Sequence, residues 1–157
     1  MSCCAPLPRP LLQMAFQFQY PVFSPNGRWL AYSSDVSGSL EVYVQAYPEL
    51  GERYQISVGG GVEPSWAHSG REIFYRQGDK MMVADIGTSP HFGAGKPRLL
   101  FSGPYGSDTP VRGYDVAPDD KRFLMFLPLA EKQQTPATQM TVVLNWTEEL
   151  KRLVPTR

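Results

Sequence analysis

Apolar and polar positions alternate along much of this chain with a period of two. Leu40, Val42 and Val44, for example, alternate with Glu41, Tyr43 and Gln45. A period of two sends successive side chains to opposite faces of a sheet, so such runs read as short strands. The first run covers about 19–23 and stops at Ser24-Pro25-Asn26-Gly27; others follow at about 29–33, 40–45 and 54–57. The same order returns at about 63–66, 72–76, 81–85 and 98–101, then at about 114–116, 122–127 and 140–145. Only the last stretch changes period. Asn145 stands three before Glu148, Glu148 and Arg152 are i,i+4 partners, and Leu150 and Leu153 share a face. This predicts a short C-terminal helix ended by Pro155, read as a packing cap.

The turn after the first run recurs. "FSPNGRWLAY" at 23–32 matches "WAHSGREIFY" at 66–75 and "VAPDDKRFLM" at 116–125, with the turn position at Gly27, Gly70 and Asp120. Proline fixes φ at the first central position, and glycine supplies positive φ before the chain reverses. His68 replaces the proline in the second copy. Asp120 replaces the glycine in the third, and aspartate is among the few residues that tolerate the left-handed region. The turns lie 43 and 50 residues apart, a spacing that with β patterning points to propeller blades. The predicted fold is therefore all-β: three four-stranded antiparallel meanders, at about 17–58, 62–101 and 111–147. They form one partial propeller domain over 9–157, after a disordered lead-in at 1–8.

Composition narrows the function. Lys+Arg and Asp+Glu are both 15 in 157 residues, so there is no basic excess for nucleic acid or an anionic membrane. No window approaches the ~18 apolar residues of a spanning helix. The start shows no basic segment followed by an apolar run, so no signal peptide is read and the compartment defaults to the cytoplasm. Cys3 and Cys4 are adjacent and lack zinc spacing. His68 and His91 have no ligand partner at i+2 or i+4. "SDVSGSLE" lacks the acidic ladder of a calcium loop, and Ser37-Gly38 reads as a hairpin turn. No metal or cofactor is expected. Ser69 beside His68 lies in a turn, where adjacent side chains diverge rather than form a nucleophile–base pair.

At "FSPNGRWLAYSSD", "GGGVEPSWAHSGREIFYRQGDKMMVADI" and "YDVAPDDKRFLMFLP" the chain resembles the TolB-like (PD40, WD40-like) β-propeller repeats, closest to those C-terminal to some bacterial Ser/Thr protein kinases. The resemblance runs from about Arg9 to Pro155. It implies an interaction or sensor module without catalysis, in a family whose members are often periplasmic. Kinase motifs are absent from the sequence.

The departure is the count. Propellers close with about four to eight blades, and an open three-blade arc exposes apolar faces. "RPLLQ", Arg9–Gln13, resembles "PRLLF", Pro97–Phe101, an outer strand, and the third unit lacks an outer strand of its own. The expectation is strand exchange between two chains, through Leu11, Leu12 and Met14, closing a six-bladed homodimeric ring. The leading function is non-catalytic protein or ligand binding. The alternatives are a channel-site hydrolase or lyase, and a propeller fragment with no dedicated ligand.

A ligand site is expected where inner strands begin, at the channel mouth: Gln19, Tyr20, Glu63, Arg112 and Tyr114. Their mix of charge and aromatic groups suits a peptide segment or small polar ligand. Trp29, Trp66, Trp146, Phe74, Tyr75, Phe123 and Phe126 are expected to pack within and between units. Arg28, Arg71 and Lys121 recur at one repeat position, where a structural role is expected, such as bonding carbonyls of the neighbouring unit.

Overall fold

The computed structural model describes residues 16–88, 91–105 and 111–127. The described chain is all-β, with antiparallel strands throughout. The predicted C-terminal helix, the strand at 140–145, Trp146 and the self-association residues Leu11, Leu12 and Met14 lie outside the described residues.

Sheet one is a meander of β1 (Phe18–Phe23), β2 (Trp29–Ser34), β3 (Glu41–Ala46) and the short β4 (Tyr54–Gln55). Sheet two runs β5 (Val62–Trp66), β6 (Glu72–Gln77) and β7 (Lys80–Gly87). The eight-residue β7 is long enough to take two outer partners. Its far end pairs with β8 (Gly93–Ala94) and its near end with β9 (Arg98–Ser102), whose register shifts by a residue. The sequence pattern contained β9 but not the two-residue β8. The third unit is described as a hairpin of β10 (Tyr114–Val116) and β11 (Phe123–Met125).

The repeated phrase gives the same backbone three times. Gly27 N donates to Ser24 O, Gly70 N to Ala67 O, and Asp120 N to Ala117 O, at 2.8 to 2.9 Å. Across the mouth of each turn, Ser24 N donates to Trp29 O, Ala67 N to Glu72 O, and Ala117 N to Arg122 O. The φ angles at Gly27, Gly70 and Asp120 are +67°, +69° and +57°, which is why the position takes glycine, or aspartate at some strain.

The units stack face to face. Alternation along β2, β3, β6 and β7 sends Ala31, Val42, Val44, Ile73, Tyr75, Ala84 and Ile86 into one core between sheets one and two, with Trp66 and Phe92. The opposite side chains of sheet two, Phe74, Met81 and Val83, join Ala67, Tyr114 and Val116 in a second core beneath the hairpin. Phe123 packs edge-on to Phe74, with ring centroids 5.0 Å apart. Leu30, Tyr32 and Tyr43 are buried on the far face of sheet one. Phe126, expected to pack between units, is instead 59% exposed, because it follows β11 on the hairpin's open side.

The link from sheet one to sheet two explains "GGG". Gly59 and Gly60 have φ of +80° and +105°. A side chain on Gly61 would meet the Ser57 side chain and, at 3.2 Å, a Val42 methyl. The crowding is deliberate. The buried Glu41 carboxylate accepts from the Ser57 hydroxyl and, at 2.8 Å, from Gly60 N, holding the link against β3.

The turns of successive units also meet. Pro25 of the first turn faces Gly70 of the second: a Cβ on Gly70 would sit 3.7 Å from the Pro25 ring. The second turn meets the third through the two residues that depart from the repeat. The Asp120 carboxylate accepts from His68 N at 2.7 Å and Ser69 N at 3.0 Å, and lies 3.0 Å from His68 Nδ1. A proline at 68 has no N–H for that bond, so the loss of proline and the gain of aspartate are complementary. Partial burial raises the Asp120 pKa, but the N–H donors of His68 and Ser69 outweigh it and leave the carboxyl below its ordinary value.

Candidate site at the starts of the inner strands

The site grows from a defect shared by the two inner strands. Tyr20-Pro21 and Glu63-Pro64 each place proline inside a strand, where it cannot donate to the ladder. The strand therefore steps out by one residue. In β1 the register passes from Gln19↔Ser33 to Val22↔Ala31, and in β5 from Val62↔Arg76 to Ser65↔Phe74. The extra residue makes a bulge that re-aims a side chain. Tyr20 and Glu63 take φ of +55° and +56°, which costs a non-glycine residue about 1–2 kcal/mol. Strain of this kind persists only where the surroundings impose it, and it concentrates at functional positions. The third unit has Gly113 at the matching place, three residues before the end of the inner strand.

Glu63 is fully buried. One carboxylate oxygen, Oε2, accepts from Gly113 N at 2.9 Å, which ties the bulge of unit two to the matching residue of unit three. The other, Oε1, is buried with no partner among the described residues. Burial pushes the Glu63 pKa up, and it outweighs the opposing pull of the Gly113 N–H and of the Arg76 and Arg112 charges. Arg76 is fully buried too. Its Nη2 donates to Gly78 O at 2.8 Å and Tyr105 O at 3.2 Å, and its guanidinium lies 6.0 Å from the Tyr105 ring centroid. Its Nε and Nη1 have no partner among the described residues.

Arg112 sits 5.7 Å over the Tyr114 ring, donates from Nε to Tyr114 O at 3.2 Å, and lies 3.7 Å from Asp115 Oδ1. Tyr114 is buried, and its hydroxyl lies 2.7 Å from Glu63 O and 3.1 Å from Phe74 O, donating its one proton between them. Burial raises the Tyr114 pKa far above the ordinary phenol range, so it stays a neutral donor. Tyr20 is half-buried, and its pKa is raised by burial and then by the Glu63 charge.

Of the five residues expected at a channel mouth, Tyr20, Glu63, Arg112 and Tyr114 thus form one electrostatic group. Their roles differ from the expectation. Glu63 and Tyr114 do not stand on an open wall: the bulge turns Glu63 inward, and Tyr114 ties sheet two to the hairpin. Gln19 is half-buried, with its amide nitrogen 3.5 Å from Gln17 Oε1. Of the four, Tyr20 and Arg112 are the partly exposed members. Sequence reasoning missed Arg76. Its signal was present in "EIFYRQ", where alternation puts Arg76 on the face of Phe74. Arg28, Arg71 and Lys121 are exposed and make no side-chain bond to a neighbouring carbonyl among the described residues. No three His, Cys, Asp or Glu side chains among the described residues come together as a metal site.

No protein-family model matches the chain. No curated protein matches it either.

Proposed function

We propose that the chain is a non-catalytic binding module of the β-propeller type, three blades to a chain, closed into a six-bladed ring by a second copy. On this reading the likeness to TolB-like repeats reflects a common architecture. The observation that carries it is the repetition of one geometry between units: Pro25 against Gly70, then His68 against Asp120. Repeating the same step from unit to unit generates an arc, and three units fall short of the four or more blades that close a ring. The outer side of the hairpin supports a missing neighbour, since Leu124, Phe126 and Leu127 are 72, 59 and 64% exposed. Residues 9–13 of the second copy are the proposed outer strand for the last blade. The ligand, a peptide segment or small polar molecule, is held at the channel end by Tyr20 and Arg112 over Glu63.

Deleting residues 1–14 tests the exchange. The truncated chain should run at one chain mass on a sizing column with light scattering, while the intact chain runs at two. Charged residues at Leu11 and Leu12 should act alike. A truncated chain that keeps the intact chain's mass would show that the N-terminal strand holds nothing together.

A further inference from the structure

A groove of about 360 Å³ opens between the first and second turns. Trp29 and Trp66 wall it, and Asn26, Ser69, Arg71 and Thr88 bring polar groups to it. Its volume falls within the ~300–1,000 Å³ of small-molecule sites. The walls are fixed. Trp29 packs against Phe92 at 4.6 Å between centroids and edge-on to Tyr54 at 6.3 Å, and Trp66 is 5% exposed.

Among the described residues the charge in this groove has one sign. Alternation along β6 puts Arg71 on the side of Ile73 and Tyr75, facing unit one. It puts Glu72, and Asp85 paired with it across β7, on the opposite face, where Arg98 lies 2.8 Å and 3.8 Å from them. Among the described residues no carboxylate lines the groove, and Arg71 has no ion-pair partner. The buried Trp66 indole N–H also has no acceptor among the described residues, and a buried unpaired donor calls for explanation. The next groove is an internal comparison. Between units two and three, about 440 Å³ is lined by Lys121 at the position of Arg71, but with Glu72 where the first groove has Trp29 and Asp120 where it has Gly70. That groove has carboxylates in the same lining as its cation. Among the described residues the first has none.

We propose that the groove between the first two turns binds a monocarboxylate carried on a flat apolar or aromatic body. One guanidinium balances one negative charge and takes a carboxylate in its planar fork. The indoles and the Pro25 ring receive the apolar body. This site is formed within one chain and is independent of ring closure and of the residues around Glu63.

The test uses phenylacetate on the intact chain, followed by tryptophan fluorescence and by the indole N–H resonances. Saturable binding is expected, with a shift of the Trp66 resonance. Arg71→Gln should weaken it at least about tenfold with the melting temperature unchanged, because Arg71 is exposed. Lys121→Gln should leave it unchanged. The tripeptide Gly-Gly-Phe, compared with its C-terminal amide, tells whether the carboxylate is that of a peptide terminus or of a free small acid; tighter binding of either acid supports the site and assigns its source. No saturation with either acid overturns the proposal. So does equal binding of phenylacetamide, an unchanged affinity in R71Q, or an equal loss in K121Q.

Discussion

Replacing Glu63 by alanine should cost about 2–4 kcal/mol of stability, measured by urea denaturation. Two losses combine. Gly113 N is left as a buried donor without its acceptor. The volume of a fully buried side chain is emptied. Alanine leaves the strain of a φ near +56° as it is in the wild type. Glycine at the same position should recover about 1 kcal/mol of that cost, because it relieves the strain. Glutamine should be the mildest change, since its amide oxygen still accepts from Gly113. The pH dependence separates charge from shape. The folded-state pKa of Glu63 is raised, so the folded chain holds this proton more tightly than the unfolded chain. The stability this contributes is fully present below the unfolded value and is lost as pH rises through the raised folded value. Wild type should therefore lose ground to Glu63→Gln as pH rises through that window. A parallel pair of stability curves would contradict the assignment of a raised pKa.

Phe74→Ala should cost more, about 3–5 kcal/mol. Phe74 is 2% exposed at the centre of the core between sheet two and the hairpin, against Phe123 and beside the Tyr114 hydroxyl that bonds its own carbonyl. The damage should be local. Two strands alone are marginal in water, and β10 and β11 depend on this face. Hydrogen exchange should show early loss of protection across 114–125, while sheet one, whose core with sheet two contains neither Phe74 nor Phe123, keeps its protection longer. Uniform loss across all three units would mean that the units do not unfold as neighbours in a stack.

What was legible in the sequence was what local chemistry dictates. The turn at Ser24-Pro25-Asn26-Gly27 and its two degraded copies located the strand pairs within a residue or two, because glycine, proline and a period of two act over a few residues. The bulges at Tyr20 and Glu63 were written in the Tyr-Pro and Glu-Pro pairs, yet a proline inside a strand says only that the ladder breaks, not where the preceding side chain turns. That is why Glu63 was expected on an open channel wall and lies inside. Arg76 was less legible still: a charged residue in an amphipathic strand is most often solvated, and only the placement of Tyr105 and Gly78 carbonyls shows how it is held. His68 and Asp120 were noticed as separate departures. That they answer one another depends on the distance between two turns, which no local pattern contains.

On the proposed reading these units form an arc completed by a second copy of the chain. Light scattering behind a sizing column, on the intact chain across a tenfold range of concentration, tests it most directly. A constant mass of two chains is expected. A stable single-chain mass would contradict it, and would mean that the exposed side of the third unit needs no partner.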